Sequence, residues 1–510
     1  MLRIKNAKII TPRGVKLVDI IGDKDGIICV GKNRTAKSPK WDEEYDARGR
    51  IALPGMIDCH VHLFSVGRMK EMIDLRGVRS IREIQESIAA HLEDSPAVNR
   101  WILGRGWDQD LLAERRFPSK DDLDDYTLGR PTMLVRVCGH IAVLNSVAIE
   151  EIGGLRSFDH SLAPRQENGE MSGLVKEEAL NHCWESIPSP RGVQLERQFK
   201  LAQEDALNLG LVAAHVILSE NWRNELDTLL ELDRNGELEL KLSLFLPISA
   251  LPLVESGQVR KSQLGGRNFV TLGFKLFADG SLGARTAALK EPYNDDPSNS
   301  GILNYTTEEI TEFSCRVKRL GMILAIHAIG DRAVSQVIEA LQAANVEAED
   351  GFRLEHCSVT NASVLNQLKK FIISVQPSFA TSDYWIFDRI GRNTKGSTSR
   401  EAYTFRTFME HGIRLVAGSD SPVESLDPLS GIRSAMTNPV KKKERLSLLE
   451  AIKLYTENAA VISPITEHLG KIAPGFGFNL VILNVKSKNR IAFAKVNHSI
   501  IEGDLRKANV

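Results

Sequence analysis

The strongest constraint on this chain is a train of short apolar runs separated by stretches of helical character. The runs are MIDCHVHL (56–63), LVAAHVIL (211–218), LKLSLFL (240–246), VTLGFKLF (270–277), MILAIHAI (322–329), FRLEHC (352–357), FIISVQP (371–377) and IRLVAGSD (413–420). Apolar runs this short, alternating with helices, are the pattern of a parallel sheet covered on both faces. Eight of them, each followed by a helix, predict an α/β fold closed as a (β/α)8 barrel of the TIM type.

The gap between the first two runs is far too long for one crossover helix. Residues about 68–195 are therefore expected to form an insertion after the first strand. It contains a helical piece (SIREIQESIAAHLED), a strand-like PTMLVRVC and a turn near Asn168-Gly169. Both ends of the chain read differently, as short strands and turns. RIKNAKIITP, a turn at Pro12-Arg13-Gly14 and GIICVG open the sequence, and NLVILNVKSKNRIAFAKVNHSIIEGDL closes it. By pattern alone these are either one small β-domain or two separate β-appendages.

Charge narrows the range of partners. The 65 basic and 66 acidic residues leave a formal net charge of -1. So even a balance gives no electrostatic reason to expect nucleic acid or an anionic membrane as partner. No apolar run reaches the roughly 20 residues that span a bilayer. The alternating start, Met1 to Lys8, has strand patterning and not that of a signal peptide. The 6 cysteines form no CxxC pair, so reduced thiols and a cytoplasmic location are expected.

Chemistry enters at Pro54-Gly55-Met56-Ile57-Asp58-Cys59-His60-Val61-His62. Residues i and i+2 of a strand share a face, so His60 and His62 can aim two imidazoles at one point. Imidazole is a standard ligand for zinc and similar ions. An isolated HxH pair is weak evidence. Here, however, His327 closes MILAIH, His356 closes RLEH and Asp420 closes LVAGSD. Barrels of this kind build their sites at the C-terminal ends of the strands, and several such residues together point to a metal centre.

The chain as a whole resembles the amidohydrolase superfamily, and within it the amidohydrolase family 3 type that includes N-substituted formamide deformylase. The resemblance rests on LPGMIDCHVHL, GRGWDQD, GFKLFADGSLGARTAAL, AIHAIGDRAV, RLEHCSV, VQPSFATSD, AGSDSPVESLDPL and LYTENAA. It implies a metal-bearing barrel over 55–467 and a β-sandwich assembled from 1–54 and 468–510. The implied metal ligands are His60, His62, His327, His356 and Asp420. Lys275, in GFKLFADG, occupies the strand position of the carboxylated lysine of related binuclear enzymes, and two ions are expected if it carries that group. Zinc is the expected metal. A homodimer is a superfamily habit.

The implied activity is hydrolysis of a carbon–nitrogen bond, of the amide, N-acyl or N-formyl kind, in a small-molecule substrate by a metal-activated hydroxide. Asp420 is the expected proton shuttle, and the metal or His356 polarises the scissile carbonyl. Trp107, Asp108 and His140 match family motifs and stand as candidate substrate contacts, against the plainer reading that Trp107 packs and His140 caps a loop. Arg285 is a candidate for holding a carboxylate or carbonyl. Glu177 reads as a solvated helix charge, His215 as a core histidine, and Asp279-Gly280 as a turn. One departure from the family, Phe478-Asn479 where Ala-Asp is usual, touches only the β-rich end. Two alternatives remain. A deaminase on the same barrel would place a glutamate soon after the fifth-strand histidine, whereas His327 is followed by Ala328-Ile329-Gly330-Asp331. A non-catalytic ligand-binding barrel would have lost a ligand, and none is missing.

Overall fold

The computed structural model describes residues 1–31, 41–94, 100–260, 263–386 and 400–508. It divides into two compact units, 1–65 with 202–510, and 66–201.

In the first unit, eight parallel strands fall on the eight apolar runs: β1 (Met56–Val61), β2 (Leu211–Ile217), β3 (Lys241–Pro247), β4 (Phe269–Phe277), β5 (Ile323–Ala328), β6 (Arg353–His356), β7 (Ile372–Val375) and β8 (Arg414–Ala417). They pair in chain order, each with the next. The fold is thus the expected α/β barrel. Every residue of β1, β2 and β7 is buried, which explains why these runs are continuously apolar and do not alternate. Helices return the chain between strands, among them Trp222–Asn235, Thr307–Arg319 and Asp331–Ala343. The Thr307–Arg319 helix starts where local chemistry says it should. The Thr306 side chain accepts the Glu309 N–H while the Glu309 side chain accepts the Thr306 N–H, a reciprocal cap.

The barrel seam between β8 and β1 is closed by individual bonds. Asp420 N–H donates to the His60 carbonyl at 2.7 Å, His62 N–H to the Ser421 carbonyl at 2.9 Å, and Ser419 N–H to the Asp58 carboxylate at 3.0 Å. Gly418 is required at this seam, because a Cβ there would sit 2.4 Å from the His60 nitrogen.

Both chain ends contribute to one sheet of eight strands. Ile51–Pro54 is its central link, parallel to Leu2–Thr11 on one side and antiparallel to Leu480–Leu483 on the other. Only Gly55 separates this strand from β1. The sheet's buried side is apolar throughout: Leu2, Ile4, Val18, Ile20, Phe478, Leu480, Ile482 and Ile500 pack together. Phe478, the departure from the family pattern, is a core residue of this cluster.

The unit of residues 66–201 has its own five-stranded sheet, in the order Leu174–Lys176, Ile141–Leu144, Thr132–Arg136, Ile102–Trp107, Ile73–Asp74. Helices Ile81–Asp94 and Glu177–Ser186 accompany it, and two apolar clusters contain its buried side chains. The expected turn is present, with Gly169 at φ 82 and its N–H donating to the Gln166 carbonyl. Among the described residues no helix is long and apolar enough to cross a membrane. All six cysteines are free.

Candidate metal centre

Because the eight strands are parallel, their C-terminal ends share one mouth. His60 and His62 lie at the end of β1, Lys275 near the end of β4, His327 on β5, His356 at the end of β6, and Asp420 three residues past β8. The structure brings all six together. The ring centroids of His60 and His62 are 5.7 Å apart, those of His60 and His356 5.0 Å, and those of His327 and His356 4.5 Å. Lys275 Nζ is 3.4 Å from His60 Nε2. Asp420 Oδ1 is 3.2 Å from His62 Nε2 and 3.5 Å from His60 Nε2. One donor atom from each of His60, His62 and Asp420 falls within 4.8 Å of the others.

Two backbone positions in this group are strained. His356 has φ 73 and Asp420 φ 56, the left-handed region that non-glycine residues enter at a cost of about 1–3 kcal/mol. At the end of β6 that turn follows directly on Glu355, so the two neighbouring side chains both reach histidine partners.

The hydrogen bonds decide which ring atoms remain available. His60 Nδ1 faces Glu355 Oε2 at 2.6 Å, and His356 Nδ1 faces Gln376 Oε1 at 2.6 Å. His327 Nε2 faces the Gly280 carbonyl at 3.0 Å. Each imidazole is thus held through one nitrogen by an acceptor, leaving the other nitrogen its lone pair. His356 Nε2 is buried and has no hydrogen-bond partner. An orphaned lone pair among neighbouring imidazoles, a lysine and a carboxylate is costly unless something electrophilic fills the gap. A divalent cation has that character, and the donor set of imidazole nitrogens and a carboxylate suits it.

Electrostatics keep these candidate ligands in a form that can bind a cation. Burial, and after it the charge of Lys275, lowers His327 to about 4. Burial likewise drives His60 well below the usual histidine range, as it does His356, so all three imidazoles are neutral. Burial alone would raise Asp420, but His60, His62 and Lys275 outweigh it and hold the carboxyl below its usual value. Lys275 is pushed down to about 8 by burial, against the pull of Glu355 and Asp420.

The remaining candidates are engaged with other partners. Asp279 is structural: its carboxylate accepts the N–H groups of Ala288, Ile329 and Gly330 and fixes the loops after β4 and β5. His215 is buried in the core, its Nδ1 taken by Arg353. Arg285 turns its guanidinium onto Asp295 at 2.8 Å. Within the 66–201 unit, Trp107 is fully buried and its indole N–H donates to the Leu134 carbonyl. This packing removes Trp107 from the candidate substrate contacts. Asp108 pairs with Arg136 at 2.7 Å. His140 and Glu177 are exposed and face each other at 3.3 Å, Glu177 opening its helix.

Other residues at the mouth lie in the family motifs but receive no role from the sequence. Phe277 is 45% exposed, with its ring 5.3 Å from that of His327. Phe379 stacks on His356 at 5.9 Å. Arg353 and Glu355 lie on β6 and Gln376 just past β7, and a charged or amide side chain in such an apolar run is itself a signal.

Comparison with known proteins agrees with this geometry. The amidohydrolase family model matches residues 43–505. The chain belongs to the amidohydrolase family. It is 30% identical over 463 residues to the putative amidohydrolase YtcJ of Bacillus subtilis, covering 87% of this chain and 85% of that one. It is 22% identical over 470 residues to the N-substituted formamide deformylase of Arthrobacter pascens, covering 87% and 85%. An uncharacterized metal-dependent hydrolase from Pyrococcus furiosus superposes with a TM-score of 0.77 at 33% identity, over 93% of this chain and 97% of that one. This amidohydrolase is accordingly a hydrolase on an α/β barrel.

Proposed function

We propose that this amidohydrolase cleaves a carbon–nitrogen bond of a small molecule, of the amide, N-acyl or N-formyl kind. In this reading His60, His62, His327, His356, Lys275 and Asp420 hold zinc, with two ions when Lys275 is carboxylated. The observation that carries the proposal is the buried, partnerless His356 Nε2 beside three further imidazoles, Lys275 and Asp420. The formamide deformylase relative supports the bond class, and the free cysteines support a cytoplasmic setting.

A divalent ion in such a site lowers the pKa of water from 15.7 toward about 7 and polarises a carbonyl. The protein's own groups do the rest. Asp420, ionised and acceptor-only, takes the proton of the attacking water and returns it to the leaving nitrogen. Its position beside His62 and His60 leaves it a short reach to both tasks. Lys275, with its depressed pKa, has an accessible neutral amine that adds carbon dioxide and loses a proton, becoming an anionic ligand. Phe277 offers exposed apolar surface for the substituent on nitrogen.

The test combines elemental analysis with a screen of N-acyl and N-formyl amines. Bound divalent metal and turnover on one of these classes is the expected result; a chain that takes up no divalent ion sinks the proposal. Lys275→Ala is expected to lose one metal equivalent and most activity, both partly restored by added formate standing in for the carbamate. Unchanged metal content in that variant would show that the lysine is not a ligand.

A further inference from the structure

Behind His60 the barrel interior holds charged groups that the proposed reaction does not use. Arg353 and Glu355 lie two apart on β6 and so share a face. Neither reaches solvent, at 1% and 0% exposure. Glu355 binds in two directions: Oε2 faces His60 Nδ1 at 2.6 Å and Oε1 accepts from Arg353 Nε at 2.8 Å. Arg353 Nη2 donates to the Cys59 carbonyl at 2.6 Å, and Nη1 donates to His215 Nδ1 at 2.8 Å. The guanidinium also lies 5.0 Å from the centre of the Phe245 ring, against which His215 stacks. One cation thereby ties together β6, β1 and β2.

An ion pair is an expensive way to fill a barrel. Desolvation costs several kcal/mol per ion, and well-packed apolar residues in its place are often neutral or stabilising. Stability therefore does not account for the pair. Its hydrogen-bonded link to the metal centre is the Glu355–His60 contact. An ionised carboxylate can only accept, so it holds the imidazole proton on Nδ1 and leaves the lone pair on Nε2. That nitrogen lies 3.4 Å from Lys275 Nζ and 3.5 Å from Asp420 Oδ1. Arg353 keeps Glu355 ionised and, through Cys59, anchors it to the strand that carries His60.

We propose that Arg353 and Glu355 are positioning residues that fix the tautomer and ring direction of His60 and thereby set the affinity of the site for its metal. The proposal rests on the ligand role given to His60 above. Removing the outer partner of a ligating histidine typically weakens metal binding about 10–100-fold.

The test replaces both charges at once, Arg353→Met with Glu355→Leu, so that no buried charge is left unpaired. Zinc affinity is measured by competition with a chromogenic chelator, and stability of the metal-free protein by thermal denaturation. The expected result is a folded protein whose zinc affinity falls about 10–100-fold. A purely structural pair would change the melting temperature and leave zinc affinity untouched, and that outcome overturns the proposal. A second measurement needs no variant at the pair. In the metal-free wild-type chain labelled with 15N-histidine, the His60 ring, identified by the signal lost in His60→Gln, should carry its proton on Nδ1. A proton on Nε2 overturns the proposal. A wild-type chain that binds no zinc refutes the function above, whereas tight zinc binding by both wild type and double variant refutes only this inference.

Discussion

The core of the terminal sheet and the floor of the barrel mouth are both buried, but they are filled with opposite materials. Leu2, Ile4, Ile20, Phe478, Leu480 and Ile482 fill the first. The second buries His60, Lys275, Glu355, His356 and Asp58. Apolar packing stabilises simply by leaving water. A buried ionisable group costs free energy unless each of its polar atoms is met. At the mouth most are met, by Glu355 on His60, Gln376 on His356 and two backbone amides on Asp58, whose carboxyl burial still pushes up to about 7. The exception, His356 Nε2, is where chemistry is expected. Strain does not divide the two regions: His356 and Asp420 have left-handed φ values at the mouth, and Asn6, Arg48 and Glu502 have them in the turns and strands of the terminal sheet. A region that spends stability on polar burial is organised for reaction, and one that does not is organised for holding the chain together.

That contrast predicts which property each substitution changes. The largest effect belongs to Asp420→Asn. The variant keeps the shape of the side chain and removes its basic oxygen. It should fold and retain metal, while turnover on the best screened substrate falls about 10²–10⁴-fold. Near wild-type turnover, with metal content confirmed by elemental analysis, would show that another group shuttles the proton.

Ile20→Ala addresses the opposite region. Ile20 is fully buried in the sheet core, so its truncation should cost about 2–5 kcal/mol in urea denaturation. Metal content and turnover of the folded fraction should not move. A loss of metal from this variant would break the division between the two regions.

The smallest effect is a displacement along the pH axis. Carbon dioxide adds to the neutral amine, and an amine is neutral above its pKa. With Lys275 near 8 instead of the usual 10.5, reactivation of metal-stripped protein by zinc at fixed dissolved carbon dioxide should rise with pH through about 8 and then level off. A rate that is still climbing steeply near pH 10 would show a lysine of ordinary basicity, and would place Lys275 outside the buried polar cluster in solution.

Sequence alone determined the barrel and the positions of the candidate ligands. Eight apolar runs at crossover spacing leave few other folds, and the register of His60 and His62, with the polar residues closing later runs, marks the mouth. These are local properties, written in the period of single strands. The tertiary structure decided what faces what. Nothing in RLEH says that Glu355 turns to His60 and Arg353 to Cys59, because those partners lie about 295 residues away on a strand whose alignment is set by barrel closure. The burial of Trp107, the pairing of Arg285 with Asp295 and the Asp420–His60 seam likewise depend on packing between distant segments. A strand's pattern fixes which face a side chain occupies, and only the assembled barrel fixes the neighbour it meets there.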